Sequence, residues 1–423
     1  MKFEKKTLKN GLRAVVAPMH DTEAATLWVL FGTGSKYETK NINGVSHFLE
    51  HLFFKGTKSR PKAGDIHREL DRIGSEHNAF TSKEYTGYYV KAAAKHFGTA
   101  LEIVSDILLE PLFKMEEIEK ERGVILQEIS MYEDNPQRQA YEIFEELLYG
   151  NSPAGWCTSG PPEIVKKISR EEIIKYENSH YLTSNAVVVV AGNLDIEEVF
   201  RKIEKAFQKM RNGRKIEKPR VLENQKNPMV KFKKKDVDQT HLRLGVRAYD
   251  MFNEKRYALS LLNTILGGNI SSRLFLEIRE KLGLAYYVRS FTEEYTDTGY
   301  LMASAGVPHG SLEKASRKIV ELFGKIRKEG VAQDEVEFAK EYIRGSMALA
   351  FESTDEVATY LASQELFYKR IWTPEEELKK IEAVKKDDII KVAREVFRPE
   401  RANLAAIGPE ADIKKYKLIL SGI

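Results

Sequence analysis

The chain repeats itself at half its length. Glu172-Ile173-Ile174-Lys175 through Val189-Val190-Ala191-Gly192 matches Asp388-Ile389-Ile390-Lys391 through Ala405-Ala406-Ile407-Gly408, without a gap, at an offset of 216. Each copy reads as a charged amphipathic helix, a short apolar strand (186–191 and 402–407), a glycine turn and the start of another helix. Solenoid periods run at about 20–50 residues, so an offset this long means a duplicated domain. The boundary should lie near the middle. Residues 211–228 hold Gly213, Pro219 and Pro228, many charges and no apolar period, and read as a linker between domains at 1–210 and 229–423. Further strand candidates are 12–17, 25–31 and 85–92 in the first half and 229–232, 241–246 and 299–305 in the second. Strand pairs flanked by long helices predict an α+β sandwich with helices on one sheet face.

Composition narrows the function classes. The 67 basic and 63 acidic side chains are interspersed and leave a net charge of +4, which argues against a dedicated nucleic-acid surface. No stretch approaches the roughly 18 consecutive apolar residues of a spanning helix, and residues 1–18 lack both a signal-peptide core and a transit-peptide pattern. No membrane partner and a cytoplasmic location are the expectations. The single cysteine, Cys157, excludes an internal disulfide and any cysteine-rich metal site, leaving His and carboxylate as the metal chemistry.

That chemistry is concentrated at His47-Phe48-Leu49-Glu50-His51. At 100° per residue, His47 and His51 lie about one helical turn apart with Glu50 beside them, while Phe48, Leu49 and Leu52 fall on the opposite face. Such a helix packs one side into a core and presents two imidazoles and a potential general base on the other. The pattern H-x-x-E-H is the inverted form of the H-E-x-x-H zinc-peptidase motif. A catalytic zinc wants three protein ligands and one open position, so a third ligand must come from elsewhere. Residues 115–133 form a good helix candidate with acidic residues in the first turn, and within it Glu121 and Glu128, seven apart, share a face.

The sequence resembles the pitrilysin-like (M16) zinc metallopeptidases, in which H-x-x-E-H is followed after a long gap by a glutamate ligand with another glutamate seven residues before it. Glu128 lies 77 positions after His51, which fits that gap. The flanks match too: Gly34-Ser35 with Glu38, Gly44 just before the motif, Lys55-Gly56-Thr57 after it, and Asn78-Ala79-Phe80-Thr81 further on. The resemblance implies Zn2+ held by His47, His51 and Glu128, Glu50 as catalytic base, and Glu121 as a supporting carboxylate. It implies two homologous α/β-roll domains, as in the short members that include processing-peptidase beta subunits. Asn78, Ala79 and Phe80 become a strand that binds peptide by β-augmentation, which would select unstructured peptides.

The two halves have diverged at the motif. Ser272-Arg273-Leu274-Phe275-Leu276-Glu277 stands where the first half has Ser46 through His51, so the second half has no metal site of its own. It carries instead Arg279-Glu280-Lys281-Leu282-Gly283-Leu284-Ala285-Tyr286, similar to the family's R-E-x-x-G-L-x-Y signature. By that resemblance Arg279 contacts peptide and Tyr286 donates to the oxyanion. A chain with both motifs is expected to act as a homodimer whose sites are completed in trans, with peptides as substrates. The rival reading is a non-catalytic scaffold subunit; such chains usually lose site residues, and this one keeps them. Gly32-Thr33-Gly34 is too short for a dinucleotide loop. His20, His67, His96, His180, His241 and His309 have no partner at metal spacing, and His77 is read as a structural histidine near the substrate strand.

Overall fold

The computed structural model describes residues 1–409 and 412–423. The chain divides into two compact units, each assembled from three segments. The first contains Met1–Ile129, Cys157–Pro219 and Met347–Pro374, and the second Ser130–Trp156, Arg220–Ser346 and Glu375–Ile423.

In the first unit a six-stranded sheet has the order β1-β2-β6-β3-β5-β4. Its strands are β1 (Glu4–Thr7), β2 (Arg13–Pro18), β3 (Ala24–Phe31), β4 (Glu76–Thr81), β5 (Thr86–Ala93) and β6 (Ala186–Gly192). β6 runs parallel to β2 and antiparallel to β3, and β4 forms an edge by pairing with β5 alone. The second unit holds β7 (Met229–Lys234), β8 (Thr240–Arg247), β9 (Tyr287–Glu294), β10 (Gly299–Val307) and β11 (Ala402–Gly408), ordered β7-β11-β8-β10-β9. The repeat is visible in three dimensions. Helix Arg170–His180 with β6 and helix Lys386–Val396 with β11 share the offset of 216, and β11 is parallel to β7 and antiparallel to β8, as β6 is to β2 and β3.

Two sequence expectations need correction. The domains are not contiguous, and the helices do not cover only one sheet face. On one face of the first sheet Val16, Val29, Val188 and Val190 pack against helices of the first half. On the other, Val15, Leu30, Val187 and Val189 pack against Val357, Ala358, Leu361 and Ala362 of helix Thr354–Ser363. The second sheet is covered in the same way: Met302, Ala405 and Ile407 receive Ala140, Ile143 and Phe144 of helix Pro136–Tyr149. The physical reason lies in the central strands. β6 and β11 are buried along their whole length, and a strand apolar on both sides needs cover on both. Each half of the sequence supplies one helix to the other unit. Buried polar contacts hold these segments: Arg13 of β2 donates to Oε1 of the fully buried Glu365, in the π-helical turn that follows helix Thr354–Ser363, at 3.1 Å and to its carbonyl at 2.7 Å, and Arg243 of β8 donates to Gln137 O at 2.8 Å.

Segment 211–228 carries no helix or strand, and one crossing between units, Pro219 to Arg220, lies within it. Sequence patterning passed over β1 and β9, which are edge strands with polar residues and little apolar periodicity. No helix among the described residues is long and apolar enough to cross a membrane.

Candidate metal centre

The motif forms a nine-residue helix, Val45–Phe53, that starts at Gly44. Gly44 has φ +100°, and a Cβ there would stand 2.6 Å from Ser159 O, so only glycine fits this entry. Val45, Phe48, Leu49, Leu52 and Phe53 are buried in the core below the first sheet. The opposite face carries the half-buried His47, Glu50 and His51. The predicted helix Met115–Glu133 forms with those bounds, burying Ile118, Ile125 and Ile129 and turning Glu121 and Glu128 towards the motif helix.

The side chains converge. His47 Nε2 lies 3.5 Å and His51 Nε2 3.4 Å from Glu128 Oε2, and one ligand atom from each of the three residues lies within 4.8 Å of the others. Tetrahedral zinc with bonds of 2.0–2.2 Å holds neighbouring ligand atoms about 3.3 Å apart. The Glu128 oxygen already stands at almost that separation from each imidazole nitrogen, and two imidazoles with one carboxylate suit zinc, so the residues fit the metal. Among the described residues no other trio of His, Cys, Asp or Glu meets in this way.

Neighbouring side chains hold this trio in place. Glu121, buried, holds His51 Nδ1 at 3.2 Å with Oε2 and accepts from Lys55 Nζ at 2.8 Å with Oε1. This His–carboxylate contact aims Nε2 of His51 at the cluster. Burial raises the Glu121 carboxyl, but His51 and Lys55 outweigh it and hold it below the ordinary range. For His51, burial favours the neutral ring, yet hydrogen bonds to Glu121 and Glu128 lift it to about 9. Glu50 stands apart from the ligand trio and accepts from Thr81 Oγ1 at 2.6 Å. Burial pushes its carboxyl up, opposed by Thr81 and His51. Glu50 is thus a largely buried carboxyl close enough to His51 and Glu128 to feel the charge of both.

The proposed substrate strand, Asn78, Ala79 and Phe80, lies in β4. Asn78 is exposed; Ala79 is buried in the core and Phe80 packs edge-on against Trp28 at 5.5 Å, so those two present backbone rather than side chain at the sheet edge. His67 and His77 do have a partner, each other: His67 Nδ1 is 3.1 Å from His77 Nε2. Sequence spacing could not show a contact between a helix and a strand. The roles of Lys55 and Thr81 were likewise invisible, although both stand in the flanks quoted above.

Arg279 and Tyr286 belong to the second unit. Arg279 sits in a π-helical turn, Phe275–Lys281, with its guanidinium 5.9 Å from the Tyr286 ring centroid and 4.9 Å from that of Phe275. Tyr286 is 77% exposed, unusual for a ring this large. Arg273, which replaces the first histidine of the motif, makes a bidentate pair with Glu335 at 2.6 and 2.7 Å.

Comparison with known proteins agrees with this arrangement. Residues 13–161 match the profile of Insulinase (Peptidase family M16), and residues 167–343 that of the Peptidase M16 inactive domain. The uncharacterized zinc protease YmxG of Bacillus subtilis is 35% identical over 96% of this chain and 98% of its own. An uncharacterized zinc protease of Rickettsia bellii is 35% identical with the same coverage. Among solved structures, a protease from Helicobacter pylori superposes with a TM-score of 0.90 at 28% identity, covering 96% of this chain and 99% of that one. With two profile matches spanning most of the chain, near full-length relatives and an H-x-x-E-H helix closed by a distant glutamate, this chain belongs to peptidase family M16, in its short two-domain form.

Proposed function

We propose that the protein is a zinc endopeptidase that cleaves unstructured peptides. The observation that carries this reading is the meeting of one ligand atom each from His47, His51 and Glu128 within 4.8 Å of one another, with Glu50 on the same helix but outside that trio. Zinc held by His47, His51 and Glu128 would supply a Lewis acid able to make water a proton donor near neutral pH. Glu50 takes the proton of the attacking water and passes it to the leaving amine. Thr81 holds one Glu50 oxygen and leaves the other for that transfer. Glu121, clamped by Lys55, keeps His51 in its ligating orientation. The open edge of β4, which ends at Thr81, accepts an extended peptide by backbone pairing, so affinity comes with little sequence preference. Arg279 contacts the peptide and Tyr286 donates to the tetrahedral oxyanion; the exposure of Tyr286 supports this role. We infer further that the active form is a homodimer, each site drawing Arg279 and Tyr286 from the partner.

The test combines metal analysis with peptide hydrolysis. The wild type should carry one zinc per chain and lose activity to a chelator. Glu50→Gln should keep the zinc and lose hydrolysis, whereas His51→Ala and Glu128→Gln should lose the zinc. Full zinc content in His51→Ala and Glu128→Gln would sink the assignment. Natively folded, loop-poor proteins should resist while unfolded peptides of the same composition are cut.

A further inference from the structure

The motif helix begins at a residue with no side chain. Gly44 is its N-cap and offers nothing to the orphan N–H groups of the first turn, which carries His47. A residue six positions earlier fills that gap. Glu38 Oε2 accepts from the Gly44 N–H at 2.8 Å and from Asn43 Nδ2 at 2.8 Å, and Glu38 Oε1 accepts from the Ser46 N–H at 2.8 Å. The carboxylate is 2% exposed and has no ion pair with a lysine or arginine among the described residues. Its stabilisation comes from these N–H groups and the positive end of a short helix.

We propose that Glu38 is a positioning residue for the metal centre, a remote cap that sets where the helix starts and so where His47, Glu50 and His51 point. This rests on the reading of that centre given above. Two further contacts separate the role from general fold stabilisation. The segment carrying Glu38 docks on the residues just after β4: Ser35 N–H donates to Ser82 O at 3.1 Å and Lys36 N–H to Lys83 O at 2.8 Å. Thr81, the residue before them, holds Glu50. Ser46, whose N–H Glu38 accepts, donates its hydroxyl to Tyr176 at 2.9 Å, and the Tyr176 hydroxyl reaches back to Gly34 O at 3.4 Å. Glu38 therefore lies in a closed loop of contacts joining the start of the ligand helix to the strand that holds the base. Glutamine at 38 has one acceptor oxygen and an NH2 that faces N–H donors, so it can serve one side of the cap only.

The experiment measures zinc affinity by competition with a chromogenic chelator for wild type, Glu38→Gln and Glu365→Gln, with circular dichroism and melting on the same samples. Glu365 is equally buried in the same unit but lies away from the motif helix, so its variant controls for loss of a buried carboxylate. Glu38→Gln should bind zinc about tenfold more weakly, and at saturating zinc kcat should fall while KM stays near wild type. Glu365→Gln should melt earlier with zinc affinity unchanged. Wild-type affinity in Glu38→Gln, or equal weakening in Glu365→Gln, overturns the positioning role alone. A wild type that binds no zinc overturns the metal-centre reading as well. If Glu38→Gln does not fold, Asn43→Ala removes one of the three donors; weaker zinc binding there supports the role, and unchanged binding overturns it.

Discussion

Lys55 reaches the His47–His51–Glu128 cluster through an intermediary, without belonging to it. Its ammonium fixes Glu121, and Glu121 fixes the His51 ring. Removing the charge in Lys55→Met should loosen His51 and weaken zinc binding about tenfold, measured by chelator competition; unchanged affinity would mean that His51 alone sets Glu121. In the second unit, Glu294 is pushed up to about 7 by burial, opposed by Arg256 and reinforced by Glu377 and Asp250. A carboxyl raised in the folded state keeps its proton where the unfolded chain has lost it. Its contribution to stability is therefore complete below the ordinary glutamate value and is lost as pH rises through about 7. Glu294→Gln keeps the uncharged form, so its stability relative to wild type should increase between pH 5 and pH 8 in urea titrations. A constant difference over that range would show that Glu294 titrates normally.

At the scale of elements, the exchanged helices decide stability. Leu361 is fully buried between helix Thr354–Ser363 and the first sheet, although it lies more than 160 residues beyond β6 in sequence. Leu361→Ala should cost about 2–5 kcal/mol, and the loss should appear in the first unit. Trp28 and Trp372 lie in that unit and Trp156 in the other, so fluorescence in a Trp156→Phe background reports the first unit by itself. An unfolding midpoint unmoved by Leu361→Ala would contradict the packing. The central strands made cover on both faces a requirement, since Ala186 through Gly192 leaves no polar face to solvent. What periodicity could not say was which helix supplies the second layer.

For the whole molecule, the proposal of a homodimer with composite sites makes a sharp prediction. Glu50→Gln chains and Tyr286→Phe chains, each nearly inactive alone, should regain activity when mixed, because a mixed two-fold dimer contains one site with neither defect. Subunit exchange is followed by an affinity tag on one variant. Activity that stays at the level of the separate variants after exchange would place Tyr286 and Glu50 of one chain in the same site, or remove Tyr286 from catalysis.

The sequence by itself determined the duplication and the motif helix, because both are written in local spacing: an offset of 216 and one helical turn between His47 and His51. The family followed from those residues and their flanks. Tertiary structure alone decided which partners complete them. Glu38 caps a helix from six residues away, Lys55 braces Glu121, Thr81 holds Glu50, and His67 meets His77. It also decided that Pro136–Tyr149 and Thr354–Ser363 leave their own halves. These pairings depend on side chains brought together by packing between elements, and such contacts leave no period in a linear sequence.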